Sequence, residues 1–362
     1  MRIGIIIGSL GYGGAERVTA ALSGYWASKN TSVTVFTTMK KPAAEYPLAE
    51  GVTRIECYSG RMISTMVSLR RQIKAHPQDI ILIMDTPMCV VAVPVLLGLG
   101  IPYVVSERSS PGTKAIKWTT KALSHALMNL CDGFVFQTKG AQSYYARRIQ
   151  RKSVVIPNPL VVESLPAPYE GERDKRVVAV GRLIPAKNYP NLIRAFVAFH
   201  QAHPDHVLEI YGDGALKDDL ATLVDRLHAQ GYVKLMGPSG TVLEEIRTAS
   251  LYVLSSDIEG LPYALIEAMA LGIPCISTDC PSGGPKDLIV DGENGLLIPV
   301  SDHKALNHAM ERLMADEGLR RKLSSEAIKI RDRLDCVTIS EKWTVYFRKI
   351  ADNRNQRNKS ER

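Results

Sequence analysis

A chain of 362 residues, 45% hydrophobic and 23% charged, is long enough for two ordinary globular domains. Its mean hydropathy of −0.04 excludes an integral membrane protein, and the most apolar window, Ile80–Val105, is interrupted by Asp85 and by prolines at 87, 94 and 102. The net charge of +8 is uneven, with 19 Lys/Arg against 9 Asp/Glu in residues 1–168 and 26 against 28 in residues 169–362, so the first half is expected to meet something anionic. Nucleic acid and an anionic membrane both qualify. No aromatic stacking platform is interleaved with the basic residues, which disfavours nucleic acid.

The opening apolar run is too short for a signal-peptide core. Six scattered cysteines (57, 89, 131, 275, 280, 336) form no CxxC pair, which suits reduced, buried thiols in a cytoplasmic protein. No His/Cys/Asp cluster has metal-ligand spacing, so no metal is expected.

Met1–Gly8 reads as a buried parallel strand. A glycine loop follows (Gly8, Gly11, Gly13, Gly14), then a helix over Ala15–Lys29 with Val18, Leu22, Tyr25 and Trp26 at helical spacing. The loop is not GxGxxG, and the next strand, Val33–Thr37, does not end in a ribose-binding acid. A generic anion or sugar contact is therefore preferred to a dinucleotide site. Further strands are expected at Thr53–Glu56, Ile80–Met84, Tyr103–Ser106, Phe134–Gln137 and Val154–Ile156. Helices are expected near 64–75, 88–99, 113–131 and 139–149. This is a doubly wound α/β pattern, in which ligands bind beyond the carboxyl ends of strands. Gly11–Gly14, Asp85-Thr86 and Ser106-Glu107-Arg108 should converge there. In Lys114–Leu130, Lys114, Lys117 and Lys121 share a helical face beside Trp118, a pattern fit for a membrane surface. The competing expectation is a solvated face with Leu123, Leu127 and Leu130 packed inward.

Pro157-Asn158-Pro159 closes the first domain, residues 1–165, and residues 166–176 (PAPYEGERDKR) read as a linker. A second α/β domain spans 177–335. It opens with a strand at Val177–Val180, followed by Gly181 and a loop carrying Arg182 and Lys187. Two cations at a strand end suit a diphosphate, because Arg can fork onto two oxygens and Lys adds a point charge. Turns at Gly212-Asp213-Gly214 and Gly237 repeat the strand–turn–helix pattern. Helices are expected at Asp302–Ala315 and Gly318–Arg331. Residues 336–362 should hold a last helix, Ser340–Ala351, crossing back to the first domain, with a frayed tail from Arg354.

Within the second domain, Leu251–Gly272 reads as strand, loop and helix. Gly260-Leu261-Pro262 sets up the helix start, where free N–H groups and the dipole favour phosphate. Glu259 precedes the turn, and Glu267 stands among apolar neighbours, where a buried charge needs a partner. Taken alone, these acids could be a cap and a solvated face.

Together the motifs resemble the family 4 retaining glycosyltransferases of the two-domain GT-B fold. The matches are GGAER (Gly13 to Arg17), GRL-x-x-x-KN (Gly181 to Asn188), the Gly212–Gly214 turn, EGLPYALIEAMALGIP (Glu259 to Pro274), GGPKDLI (Gly283 to Ile289) and GENGLLIP (Gly292 to Pro299). They cover nearly the whole chain, and the set is similar to bacterial exopolysaccharide and lipid-linked glycan branches of the amylovoran type. The resemblance implies two Rossmann-like domains facing a cleft and metal-free transfer from a nucleotide-sugar, with UDP the expected nucleotide. Arg182 and Lys187 would hold the diphosphate, Glu267 the ribose, and Glu259 the sugar. Gly260, Leu261 and Pro262 would lie near the phosphate. Gly13, Gly14, Gly181, Gly212 and Gly237 would line the donor. The implied acceptor is a polyprenyl-diphosphate-linked glycan at the inner face of the cytoplasmic membrane, with no nucleic acid involved. Arg108 stands where several branches carry a histidine, and with Glu107 it is a candidate for acceptor or phosphate contact.

Two other functions compete. A UDP-sugar 2-epimerase on the same fold would need additional catalytic carboxylates and histidines. A non-catalytic basic binding protein would not need the paired anion and carboxylate motifs.

Overall fold

The computed structural model describes residues 1–360 apart from Tyr12, Ser109 and residues 112–116, and only the backbone of residues 355 and 357–360. Lys114 and the start of the helix expected from residue 113 therefore lie outside the described residues. The chain forms two compact units, one of Met1–Val161 with Leu334–Arg362 and one of Val162–Arg333.

Unit 1 runs β1 (Arg2–Ile7), α1 (Gly14–Ser28), β2 (Ser32–Thr37), β3 (Val52–Glu56), α2 (Met62–Ala75), β4 (Ile80–Met84), α3 (Cys89–Leu96), β5 (Tyr103–Glu107), α4 (Trp118–Met128), β6 (Gly133–Phe136), α5 (Lys139–Tyr144), α6 (Arg147–Gln150) and β7 (Ser153–Val155). The sheet is parallel throughout, in the order β3-β2-β1-β4-β5-β6-β7. Its centre is the apolar runs of β1 and β4, buried on both faces as central parallel strands require. The order reverses between β1 and β4, so the ligand crevice of such a sheet falls outside their carboxyl ends. Right-handed crossovers put α1 on one face and α2, α3 and α4 side by side on the other.

The C-terminal helix, Cys336–Ser360, belongs to unit 1 and packs on α1. Trp26 Nε1 donates to Thr344 Oγ1 at 2.9 Å, and the Trp26 and Phe347 rings stand 5.5 Å apart. Such aromatic pairs add about 0.5–1.5 kcal/mol beyond their area. The helix is longer at both ends than its apolar spacing suggests. Arg354, expected in a frayed tail, reaches Asp132 Oδ1 at 3.1 Å.

Unit 2 runs β8 (Asp174–Val180), α7 (Tyr189–Ala202), β9 (Val207–Tyr211), α8 (Lys217–Arg226), β10 (Val233–Gly237), α9 (Val242–Ile246), β11 (Ala249–Leu254), α10 (Tyr263–Ala270), β12 (Cys275–Thr278), α11 (Gly284–Leu288), β13 (Leu296–Ile298), α12 (His303–Ala315), α13 (Glu317–Ala327) and α14 (Ile330–Arg333). Its parallel sheet has the order β10-β9-β8-β11-β12-β13 and reverses between β8 and β11. The loops carrying Lys187 and Glu259 leave those two strands.

Several expectations need correction. The expected linker is structured. Asp174–Arg176 belong to β8, and the Arg173 guanidinium donates to the carbonyls of Tyr169, Arg247, Ala249 and Gly272. The helix expected over 139–149 is two, broken where Tyr145 takes an extended backbone and sends its hydroxyl inward to Glu107. The helix expected over Gly318–Arg331 is likewise split into α13 and α14. In α4 the inward residues are Ser124 and Met128, whereas Leu123 and Leu130 are exposed. Of the three leucines expected inward, Leu127 does pack against the core, while Leu123 and Leu130 do not.

Candidate active site

In unit 2 the loop after β8 and the loop after β11 are tied together at the switch point. Asp257 N–H donates to Ala186 O at 2.9 Å and Ser255 Oγ to Lys187 O at 2.8 Å. Asn188 Nδ2 donates to Asp257 Oδ1 at 2.9 Å and to Ser301 Oγ at 3.0 Å, while Ser301 Oγ donates to the same Asp257 oxygen at 2.8 Å. Asn188 also caps α7, in a left-handed conformation (φ 45°) that asparagine tolerates. Asp257, Ser255, Ser256 and Ser301 were not singled out in the sequence. Their partners lie 44 to 113 residues away or, for Ser256, depend on loop geometry.

The tied loops bring Lys187 and Glu259 together. Lys187 Nζ stands 2.5 Å from Glu259 Oε1, which also accepts from Ser256 Oγ at 2.7 Å, and both side chains are largely buried. Arg182 is exposed, and its guanidinium forms no ion pair among the described residues. The pair is neutral, so Arg182 carries the uncompensated positive charge of this loop.

Glu259 leads into Gly260, Leu261 and Pro262. Pro262 is the N-cap of α10, which begins at Tyr263. Glu267 lies within α10 and is only 7% exposed, which rejects the solvated face. The loop is also gripped from α11: a Cβ on Gly284 would stand 1.6 Å from Gly260 O, so only glycine allows this approach.

Gly181, Gly212 and Gly237, expected to line a donor, form a row across strand ends of unit 2. Gly181 N–H donates to Tyr211 O at 2.9 Å and Gly212 N–H to Gly237 O at 2.8 Å. A Cβ on Gly212 (φ 140°) would stand 2.0 Å from Gly181 O.

In unit 1, Gly13 caps α1 and Gly14 begins it, and a Cβ on Gly14 would meet nothing within 4 Å. The ends of β4 and β5 do converge. Glu107 is buried and accepts from Tyr145 Oη at 2.6 Å and from Thr86 Oγ1. Arg108 N–H donates to Asp85 Oδ1 at 3.0 Å. Arg108 Nη1 donates to Asn158 Oδ1 at 2.8 Å, and the guanidinium lies 5.3 Å from the Trp343 ring centre. Glu107 and Arg108 thus brace the interior of unit 1.

Asp85 holds a φ of 71°, which is costly for a residue other than glycine. Burial and then the Glu107 charge push its carboxyl up to about 7. Arg108 opposes the rise and Glu16 adds to it. Between about pH 4 and 7 the folded chain therefore keeps a proton that the unfolded chain has lost, so stability falls as pH rises through that window. Asp85→Asn keeps an acceptor for Arg108. It should raise the melting temperature at pH 8 and leave it little changed at pH 4.5, as thermal melts at both values would show.

Among the described residues no group of three or more His, Cys, Asp or Glu could hold a metal ion, and no helix is long and apolar enough to cross a membrane.

Two family models divide the chain: Glycosyltransferase Family 4 matches residues 12–164, and Glycosyl transferases group 1 matches residues 164–330. The chain belongs to glycosyltransferase family 4. As such it is a glycosyltransferase of GT-B fold. It is 26% identical to a Campylobacter jejuni GalNAc-alpha-(1->4)-GalNAc-alpha-(1->3)-diNAcBac-PP-undecaprenol alpha-1,4-N-acetyl-D-galactosaminyltransferase, covering 97% of this chain and 99% of the relative. It is 36% identical over half its length to an exopolysaccharide phosphotransferase of Streptomyces coelicolor, but spans only 19% of that protein. Among solved structures, Anabaena HepE in complex with UDP superposes with a TM-score of 0.80 at 18% identity, covering 95% of this chain and 98% of HepE.

Proposed function

We propose that this glycosyltransferase moves a hexose or N-acetylhexosamine from a UDP-sugar to a polyprenyl-diphosphate-linked glycan, with retention at the anomeric carbon. It would work peripherally at the inner face of the cytoplasmic membrane. The observation that carries the reading is the constellation at the β8/β11 switch point: Lys187 fixed by Glu259, Arg182 exposed beside them, and Glu267 buried in α10. The Campylobacter relative, named for an undecaprenol-linked substrate, and the UDP complex of HepE support the substrate classes.

In this reading the diphosphate lies against Arg182, Lys187 and the backbone of Gly260–Pro262. Glu267 accepts the ribose hydroxyls and Glu259 accepts hydroxyls of the donor sugar. The bond from the anomeric carbon to the diphosphate oxygen breaks, and the acceptor oxygen bonds that carbon on the same face. The acceptor proton passes to the departing diphosphate. Arg182 and Lys187 stabilise the charge that develops on the leaving group, the kind of electrostatic help that matters most when the donors are already in place.

The test is to incubate the protein with radiolabelled UDP-sugars and a bacterial membrane lipid extract. Label should enter the lipid fraction. Conversion of the free UDP-sugar to an epimer would instead establish an epimerase, and no turnover with any donor would contradict transfer.

A further inference from the structure

The helical layer of unit 1 is one-signed. Residues 61–152 contain 13 Lys/Arg and four acids, and α2, α3, α4, α5 and α6 contain no Asp or Glu at all. All four acids sit at strand ends. Asp79 pairs with Arg2 at 2.6 Å and Asp132 with Arg354 at 3.1 Å, while Asp85 and Glu107 are held by neighbours inside the unit.

The same layer turns apolar side chains outward. In α2, Thr65, Leu69 and Ile73 face the sheet, which leaves Ile63, Val67, Arg71 and Lys74 as an outward stripe. Ile63 is 73% and Val67 66% exposed. Arg70 is not part of this stripe's free charge, because its Nη1 donates to Leu97 O at 2.9 Å on the adjoining α3. In α4, Leu123 is exposed and Trp118 at its first turn is 79% exposed, with exposed Lys117 just before it and exposed Leu130 just past its end, whereas Lys121 is half-buried with its ammonium 5.3 Å from the Tyr144 ring centre. Buried Ser124 and Met128 fix that orientation. A large indole and several aliphatic side chains facing solvent among cations, on two helices that flank α3 in one layer, are the composition of a surface that lies in a lipid headgroup layer.

We propose that the outward face of α2 and α4 docks on an anionic phospholipid bilayer, with Ile63, Val67, Trp118 and Leu123 entering the headgroup region and Arg71, Lys74 and Lys117 meeting lipid phosphates. The choice of a bilayer as partner rests on the lipid-linked acceptor proposed above. The opposite charge of the lipid phosphates and the apolar stripe both fit it, and among the described residues no aromatic platform tracks a nucleic-acid strand.

Of the three tryptophans, Trp26 and Trp343 are buried, so a change in tryptophan emission on contact with vesicles reports Trp118. The full chain is mixed with phosphatidylcholine vesicles with or without phosphatidylglycerol, and emission and co-sedimentation are read. A blue shift and co-sedimentation are expected only with the anionic vesicles. Arg71→Gln with Lys74→Gln should weaken partitioning roughly fivefold per charge removed. Ile63→Ser with Val67→Ser should also release the protein, and both variants should bind UDP as wild type does. UDP binding without vesicle binding, or vesicle binding unaffected in both variants, overturns the surface. An oligonucleotide bound by wild type in place of vesicles, and lost in the variants, also overturns it. Vesicle binding without UDP binding sustains the surface and sinks the proposed donor.

Discussion

Lys187→Ala is expected to lower glycosyl transfer by roughly 10²–10³-fold, the range seen when one preorganised electrostatic donor is removed from a reaction centre. The loss has two sources. On the proposed assignment the ammonium no longer faces the leaving diphosphate, and Glu259, now without its partner at 2.5 Å, presents an unbalanced carboxylate to an anionic substrate. The two effects separate in a cycle. Lys187→Ala with Glu259→Ala should bind UDP better than Lys187→Ala alone, because the repulsive charge is gone, yet it should transfer no faster. Steady-state kinetics and UDP titrations on the four proteins would show this non-additivity. Independent, additive effects would mean that the pair does not act as a unit.

Gly284→Ala carries the next largest expected effect, and it acts without touching a charged group. The added Cβ would lie 1.6 Å from Gly260 O and 2.8 Å from Gly260 C. Both are backbone atoms, so no side chain can swing aside. Either α11 lifts or the Glu259–Pro262 turn shifts. Overpacking of this kind costs about 1–3 kcal/mol, or more where backbone must move. For a unit of this size that is a fall in melting temperature of about 2–12 °C. Transfer should fall as well, since Glu259 is carried on the displaced turn. Gly283→Ala is the internal comparison. Gly283 has a φ of 68° but nothing within 4 Å of its Cβ position, so that variant should pay only backbone strain and keep more activity. Thermal melts and transfer assays on the two variants would decide it; equal behaviour would show that the Gly260 contact is not what matters.

Much of this site could be read from the chain, and the part that could not has a physical reason. Apolar strand runs ending in glycine or polar loops located the carboxyl ends where Arg182, Lys187 and Glu259 stand. The apolar neighbours of Glu267 announced its burial. Sequence could not show that Lys187 and Glu259, 72 residues apart, would form an ion pair, because that depends on β8 and β11 being neighbours in the sheet. Nor could it show the Asn188–Asp257–Ser301 network, which joins three loops. In α4 apolar residues surround the helix, so periodicity does not choose a face; packing on α3 does, and it chose Ser124 and Met128. Glu107 and Arg108 look like contact residues because they end a strand in a polar loop. They turn inward because Tyr145, Thr86 and Asn158 offer them partners there.

The division of labour between the two glutamates is tested most directly by calorimetric titration of UDP into wild type, Glu267→Ala and Glu259→Gln. A hydrogen bond to a charged group is worth about 1.5–3 kcal/mol, so Glu267→Ala should bind UDP roughly 10–100-fold more weakly. Glu259→Gln should bind it as tightly as wild type or more so, because removing the carboxylate's charge leaves Lys187 free to face the diphosphate. Undiminished UDP binding in Glu267→Ala, or a large loss in Glu259→Gln, would contradict the assignment of ribose to the one and sugar to the other.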